Sequence, residues 1–242
     1  MRLKYRLYRL FWLGIDFLYP PICGGCGKRG ERWCKHCQED LEPIPEPKCD
    51  LCGLPQKAEG ICISCQKKEP AFSASRSWAV FGGPIQNALH RMKYRQDLGL
   101  GDALVATMLD FVDTFGWDID LVVPVPLGKK RYKERGYNQA GLIARPLAWA
   151  KGWHYAPHVL RREKETISQV GLSAEEREIN VRDAFFADPE KVAGKNVLVV
   201  DDVSTTGATL NSCAKALRNG NAQEVYALSL ARALPHHGLK TV

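Results

Sequence analysis

The sequence has no long apolar run. Its most apolar N-terminal stretch, Phe11 to Leu18, is too short to cross a bilayer and is interrupted by Asp16. Because no small-residue cleavage site follows, we expect neither a membrane span nor a signal peptide. The chain also lacks low-complexity segments, and 45% of its residues are hydrophobic and 25% charged. This composition excludes a largely disordered chain, a collagen and a multi-span membrane protein.

Residues 1–21 are predicted to form an amphipathic N-terminal helix. The apolar residues that can share one side of this helix are Leu3, Leu7, Leu10, Phe11 and Phe17. We expect the helix to pack on the body of the protein. A helix that lies on a membrane surface is the alternative.

Residues 22–70 have few aliphatic side chains, and they hold eight of the nine cysteines. These eight form four C-x-x-C pairs, namely Cys23/Cys26, Cys34/Cys37, Cys49/Cys52 and Cys62/Cys65. Such pairs predict two tetrahedral zinc sites, in either a sequential or an interleaved pairing. A structural zinc ion contributes about 10–16 kcal/mol of apparent binding free energy, which a segment this poor in aliphatics needs in order to fold.

Both zinc ions are expected to be structural, because four thiolates leave no open coordination position. The regular spacing and the missing signal peptide argue against a secreted disulfide framework. We therefore expect a cytoplasmic protein.

Residues 71–235 have the pattern of an α/β domain. Strands are predicted at 77–81, 119–125, 155–160, 197–200 and 225–230, and helices at 84–94, 99–115, 138–150 and 209–217, with a further helix start at Ser173. Strands that alternate with helices predict a doubly wound, mostly parallel sheet preceded by the small cysteine-rich zinc-ribbon module.

The strongest chemical motif begins where the predicted strand Val197–Val200 ends in two acids. A turn rich in hydroxyl groups follows, and then a helix begins. The candidate ligand-binding residues are Asp201, Asp202, Ser204, Thr205, Thr206, Gly207, Ala208 and Thr209. Backbone N–H groups at a helix N-terminus suit a phosphate group. The two acids would repel a bare phosphate, so ribose hydroxyls or a bound Mg²⁺ are their expected partners.

A basic segment follows the predicted strand 119–125, at the same carboxyl edge of the sheet. Its candidate contacts are Lys129, Lys130, Arg131, Arg135, Tyr137 and Asn138. We expect this loop to contact either a pyrophosphate or a DNA backbone, for which its tyrosines would serve as stacking platforms. A third charged stretch, 161–185, is predicted to be either a hood over the site or a surface hairpin.

The motif from Val197 to Thr209 resembles the signature of type I phosphoribosyltransferases, which binds 5-phosphoribosyl-1-pyrophosphate (PRPP). The resemblance implies that Asp201 and Asp202 bind the ribose and that Thr205 to Thr209 bind the 5′-phosphate, with Mg²⁺ as a possible companion of PRPP. Purine-salvage members usually carry an aspartate where this chain has Thr205, so a purine-salvage role is not expected.

The whole chain resembles the ComF family. The features that carry the resemblance are Phe17 to Pro21 before the first cysteine, the paired cysteines, Val123 to Pro126, Arg131, Arg135 to Gln139, the residues Gln169, Leu172, Arg177, Asn180 and Phe185, and the phosphate loop. The resemblance implies a bacterial protein that helps to process incoming single-stranded DNA during transformation or DNA utilization, beside a helicase or translocase partner.

Two further hypotheses remain compatible with these motifs. The chain is either an active phosphoribosyltransferase with an unidentified acceptor or a regulatory module that senses PRPP. No base-binding hood and no catalytic acid or base is recognisable in the sequence. Type I enzymes rely mainly on electrostatic stabilisation of the departing pyrophosphate, so this absence does not decide between the hypotheses.

Overall fold

The computed structural model describes residues 3–163, 176 and 184–234. The chain begins with helix α1 (Leu3–Leu18), and the cysteine-rich segment holds two one-turn helices, α2 (Lys35–Glu39) and α3 (Ile63–Lys67). Each short helix begins directly after a cysteine and contains the second cysteine of its C-x-x-C pair.

The remaining elements are strands and helices of an α/β domain. They are β1 (Ala74–Val80), α4 (Gly83–Tyr94), α5 (Leu100–Asp113), β2 (Leu121–Pro124), α6 (Lys129–Arg135), α7 (Gln139–Lys151), β3 (His154–Tyr155), β4 (Leu160–Arg162), β5 (Phe185–Ala187), α8 (Pro189–Val192), β6 (Asn196–Ser204), α9 (Ala208–Asn219) and β7 (Glu224–Arg232). The predicted helix start at Ser173 lies outside the described residues.

Five strands form one sheet in the order β1-β7-β6-β2-β3, and every neighbouring pair is parallel. Strand β6 lies at the centre, and its Val199 is in register with Val123 of β2 and Ala227 of β7. The short strands β4 and β5 pair with each other in antiparallel orientation.

Two apolar cores cover the two faces of this sheet. On strand β6, Val197 and Val199 belong to the core that includes Leu210 and Leu217 of α9. The intervening Leu198 belongs to the opposite core, which contains residues of α4, α5 and α7. Alternation between two buried faces is what a strand inside a doubly wound sheet requires. The predicted fold class is therefore confirmed.

The predicted packing of α1 needs a correction. The helix does contact the body, but through Tyr5, which is fully buried, and through Tyr8, whose ring meets that of Trp149 edge-on. The Leu-rich side, expected to be the packing surface, faces outward. Its exposed members include Leu3, Leu7, Leu10, Phe11 and Phe17. Both sides of the helix are apolar enough to be buried. The side that carries Tyr5 and Tyr8 faces the body, where the ring of Tyr8 packs against Trp149 of α7.

Several predicted elements also differ from the structure. The predicted strand 155–160 is replaced by two short strands, β3 and β4, which belong to different sheets. Strand β6 continues through the acid pair to Ser204, because its ladder with β7 extends to the pair Ser204–Arg232. The predicted basic loop is largely helix α6, which begins after Gly128 and ends at Gly136, a residue with a φ of +78°. Among the described residues, no helix combines the length and apolar character needed to cross a bilayer.

Candidate functional site

The cysteines gather in two tetrads, and the grouping is sequential rather than interleaved. The Sγ atoms within each tetrad all lie within 4.8 Å of one another. Opposed pairs are closer, with Cys23 and Cys37 at 3.6 Å and Cys26 and Cys34 at 3.7 Å. A tetrahedral site with zinc–sulfur bonds of about 2.3 Å requires sulfur–sulfur distances of about 3.8 Å. The two tetrads therefore have the geometry that zinc requires.

Each tetrad contains an equivalent backbone-to-sulfur hydrogen bond, and such a bond stabilises the thiolate form of the cysteine that accepts it. The backbone N–H of Cys34 donates to Cys23 Sγ at 3.4 Å, and that of Cys62 donates to Cys49 Sγ at 3.3 Å. Burial raises the pKa of Cys23 and Cys49, but several backbone N–H donors outweigh burial and lower both values to about 6. A thiol that ionises readily is a good zinc ligand. Burial, followed by hydrogen bonding to neighbouring cysteines, raises the pKa of Cys37 and Cys65, so these two thiols would lose their protons only when a metal ion binds. In each tetrad all four donors are cysteines, which leaves no open position and makes the zinc structural.

A second site opens as a cavity of about 280 Å³ between the ends of β2 and β6 and the start of α9. Its lining includes Phe81, Lys93, Leu127, Arg131, Arg135, Asn138, Gln139, Arg162, Asp201, Asp202, Ser204, Thr205, Gly207, Ala208, Thr209 and Ala233. It lies at the carboxyl ends of parallel strands, where open α/β sheets bind ligands.

The acid pair forms one wall of this cavity. Asp201 Oδ1 accepts the N–H of Asp202, and Asp202 Oδ1 accepts the N–H of Val203, both at 2.8 Å. Burial, followed by the charge of Asp202, raises the pKa of Asp201 well above its ordinary value. Lys93 Nζ lies 2.9 Å from the second carboxylate oxygen of Asp202.

The loop Thr205–Thr209 forms another part of the cavity wall. Gly207 has a φ of +80°, a left-handed conformation that favours glycine, and it allows helix α9 to begin at Ala208. Thr205, Gly207, Ala208 and Thr209 line the cavity. Thr206 does not line it, and its hydroxyl oxygen accepts the N–H of Ala208 at 3.3 Å.

The basic segment contributes only part of its predicted set. Arg131 and Arg135 line the cavity, whereas Lys129 and Lys130 do not. Tyr137 does not line it either, and its hydroxyl donates to the carbonyl of Met92.

Asn138 reaches the cavity, but its amide also has a structural task. Its Oδ1 accepts the N–H of Ala140 and caps α7, while its Nδ2 donates to the carbonyl of Val125 at 2.9 Å. Asn138 therefore ties the start of α7 to the end of β2.

Several cavity residues were not among the predicted contacts, and Lys93 is the most important of them. Nothing in the sequence separates it from other lysines near the end of a helix. Gln139 and Ser204 are buried, and among the described residues neither Gln139 Nε2 nor Ser204 Oγ has a hydrogen-bond partner. Arg162 also lines the cavity. Most of the predicted hood, residues 164–175 and 177–183, lies outside the described residues.

Asp202 does not suit Mg²⁺ as the acid pair stands. One oxygen of Asp202 accepts a backbone N–H, and the other is paired with the Lys93 ammonium. A divalent ion on this carboxylate would have to displace Lys93 or lie beside its positive charge. The ammonium group of Lys93 therefore already supplies a positive charge beside the acid pair.

Comparison with protein families matches both parts of the chain. A model described as a double zinc ribbon domain matches residues 14–66, and a phosphoribosyl transferase domain matches residues 108–238. Among solved structures, the glutamine PRPP amidotransferase of B. subtilis, complexed with ADP and GMP, is 23% identical and covers 53% of this chain and 26% of that chain at a TM-score of 0.37. The family models and the parallel sheet define a phosphoribosyltransferase-type domain that carries a double zinc ribbon.

Three curated relatives resemble most of the chain. Competence protein F of Haemophilus influenzae is 32% identical and covers 83% of this chain and 90% of that protein. Competence protein ComFC of Bacillus subtilis is 30% identical, and the match covers 85% of this chain and 86% of that protein. DNA utilization protein YhgH of Escherichia coli is 31% identical, and the match covers 77% of this chain and 84% of that protein. The chain belongs to the ComF family of competence and DNA-utilization proteins.

Proposed function

We propose that this protein assists the processing of internalised single-stranded DNA in transformation or DNA utilization, and that its cavity binds PRPP or a similar phosphorylated ribose. The observation that carries the proposal is the meeting of an acid pair, a helix N-terminus and two arginines in one cavity. Membership of a family named for competence and DNA utilization supports the DNA-handling part.

The cavity suggests how such a ligand would lie. The 5′-phosphate would accept from the loop Thr205–Thr209 at the start of α9, where the helix dipole favours negative charge. Ribose hydroxyls would donate to Asp201 and Asp202. The pyrophosphate would lie near Arg131 and Arg135, with any Mg²⁺ held by the pyrophosphate oxygens. The orphaned polar atoms of Ser204 and Gln139 would then gain partners.

The proposed DNA contact is the outer side of the basic segment. Lys129 and Lys130 are exposed and lie outside the cavity, on the surface where a phosphate backbone would meet this segment. The net charge of +7 favours such a partner. We further propose a helicase or translocase as protein partner. The cytoplasm is the proposed compartment, because none of the nine cysteines is in a disulfide and eight of them form metal-binding tetrads, an arrangement that a reducing environment maintains.

The ligand site is tested by thermal unfolding of the zinc-loaded protein with and without PRPP. A ligand at about 100 times its dissociation constant stabilises by roughly 2.7 kcal/mol, which raises the melting temperature by several degrees. We expect this rise in the native chain and not in Asp201→Asn/Asp202→Asn. No rise in the native chain at any ligand concentration would contradict the ligand proposal.

The DNA contact is tested by fluorescence anisotropy of a labelled single strand at several salt concentrations. We expect Lys129→Glu/Lys130→Glu to weaken binding and to reduce the dependence on salt, because fewer counterions are released. Lys57→Glu/Lys215→Glu is the matched control, since it makes the same charge change at exposed lysines elsewhere. Equal loss in both double variants would contradict a defined contact at α6.

An active phosphoribosyltransferase with an unknown acceptor is the second candidate. It is favoured by the apolar side chains Phe81, Leu127 and Ala233 on the cavity wall, which would suit a flat or apolar acceptor. Release of pyrophosphate from PRPP in the presence of single-stranded DNA or nucleobases would support this candidate. PRPP binding without release would favour a binding or sensing role.

A further inference from the structure

The ammonium group of Lys93, which lies far from the acid pair in the sequence, forms an ion pair with Asp202. Lys93 lies near the end of α4, and its Nζ is 2.9 Å from Asp202 Oδ2. We propose that Lys93 is the resident counter-cation of the Asp201–Asp202 pair, so that this cavity binds a phosphorylated ribose without a divalent cation. The inference rests on the proposed function and specifies its ligand: a ribose phosphate that need not carry Mg²⁺.

The pair is enclosed by the protein. The side chain of Lys93 is 26% exposed and that of Asp202 is 14% exposed, so water screens their attraction only weakly. The other oxygen of Asp202 accepts the N–H of Val203, which fixes the plane of the carboxylate. Lys93 therefore meets an acceptor whose position is already set.

The backbone on each side of Lys93 is anchored to the basic segment. The preceding residue, Met92, is fully buried, and its carbonyl accepts from the hydroxyl of Tyr137. The ring of the following residue, Tyr94, lies 5.5 Å below the guanidinium carbon of Arg135. These contacts hold the end of α4 against the cavity, so the position of Lys93 is fixed by the fold.

Charge balance explains why the site needs this cation. Two adjacent carboxylates repel each other and would also repel a phosphate that enters beside them. Burial lowers the pKa of Lys93, but attraction to Asp202 and Asp201 outweighs it, so the pKa is raised and the amine stays charged. The ammonium offsets one carboxylate, and the raised pKa of Asp201 reduces the charge of the other. The cavity can then accept a phosphate dianion without a metal ion.

The probe that isolates this role is ribose 5-phosphate, because it has no pyrophosphate to bring Mg²⁺ with it. Binding is measured by calorimetry in buffer freed of divalent ions on a chelating resin, and again with added Mg²⁺. A soluble chelator is avoided because it would strip the zinc sites, and zinc content is measured before and after. The variants are Lys93→Met and Lys93→Arg, with Lys133→Met, on the exposed side of α6, as the matched control.

We expect the native chain and Lys133→Met to bind with dissociation constants that change less than about threefold on adding Mg²⁺. Lys93→Met should bind at least about tenfold more weakly without Mg²⁺, equivalent to about 1.4 kcal/mol, and Mg²⁺ should restore part of the loss. Lys93→Arg keeps the charge and should bind within a few-fold of the native chain. Melting temperatures of the apo variants show whether each one folds.

The outcomes separate the inference from the proposed function. Native binding that appears only with Mg²⁺ would overturn the inference and leave the ribose-phosphate site intact. Equal binding by Lys93→Met and the native chain without Mg²⁺ would also overturn it. If the native chain binds neither ribose 5-phosphate nor PRPP in either buffer, the proposed function fails, and the inference fails with it.

Discussion

Arg232 Nη1 donates to the carbonyl oxygen of Cys52 at 2.6 Å, and this bond joins the last strand of the sheet to the second cysteine tetrad. Arg232 is 1% exposed. Its own backbone carbonyl accepts from Phe81, and the next residue, Ala233, donates to Ser204 at 2.9 Å. Phe81, Ala233 and Ser204 all line the cavity. One buried arginine therefore connects the zinc module to the wall of the ligand site.

The first prediction concerns this connection. Four thiolates and one Zn²⁺ carry a net charge of −2, which the buried guanidinium of Arg232 partly offsets. We expect Arg232→Met to leave the Cys52 carbonyl without its donor and to lower the free energy of unfolding by about 2–3 kcal/mol. A chelating dye should remove zinc faster from the second tetrad, and PRPP affinity should fall as well.

Arg218→Met is the control for this variant, because it removes a guanidinium from a half-exposed pair with Glu224. It should leave zinc release unchanged. Zinc release from Arg232→Met at the native rate would show that Arg232 does not stabilise the metal site.

The second prediction concerns Gly53, at the turn of the second tetrad. Its φ is +68°, and a Cβ added there would lie 2.5 Å from the carbonyl oxygen of Ser75 in β1. Gly27 has a similar φ of +78° in the first tetrad, with open space around it. We expect Gly27→Ala to cost about 1–2 kcal/mol from backbone strain alone, and Gly53→Ala to cost more. Equal losses of unfolding free energy for the two variants, measured by urea unfolding, would show that Gly53 is not in close contact with β1.

The third prediction separates the two sides of α1. Tyr5 is fully buried, whereas Leu7 and Leu10 are 57% and 62% exposed. Tyr5→Ala should lower the free energy of unfolding by about 3 kcal/mol, because it leaves a cavity beneath the helix. Leu7→Lys/Leu10→Lys should change it by no more than about 0.5 kcal/mol per site. If the double Leu variant were the more destabilised chain, the helix would pack in the opposite orientation.

The sequence could predict those parts of the site that are local in the chain. The cysteine tetrads, the acid pair and the loop around Gly207 each depend on residues within a short span, so spacing reveals them. Lys93 could not be predicted, because it reaches Asp202 only after α4 packs beside β6 and β7. The orientation of α1 could not be predicted for a related reason: its periodicity marks an apolar side, but the ring that packs against Tyr8, that of Trp149, lies on α7.

The basic segment illustrates a different limit. Its charge favours a contact with a phosphate group, but only the folded helix α6 shows that Arg131 and Arg135 line the cavity whereas Lys129 and Lys130 do not. The strand β6 likewise runs past the apolar stretch because backbone pairing with β7 does not depend on side-chain polarity.

The fourth prediction concerns pH. Asp102 is buried beneath α1, and burial raises its pKa to about 6, although Arg9 at 3.9 Å acts in the other direction. In the unfolded chain this carboxyl has a pKa of about 4. The folded state therefore binds the proton more tightly, and this stabilisation is complete below about pH 4 and is lost as the pH rises to about 6.

The variant Asp102→Asn should lack this dependence. Relative to it, the native chain should lose roughly 1–3 kcal/mol of unfolding free energy between about pH 4 and pH 6. Comparing the two chains cancels the loss of zinc that both undergo in acid. A constant difference across this range would contradict the raised pKa.

The most direct test of the account is a crystal structure of the zinc-loaded protein with PRPP. We predict the 5′-phosphate against the backbone N–H groups of Thr205–Thr209, the ribose hydroxyls at Asp201 and Asp202, and the Lys93 ammonium still on Asp202. PRPP bound away from this cavity, or an empty cavity in crystals grown at saturating PRPP, would contradict the central claim.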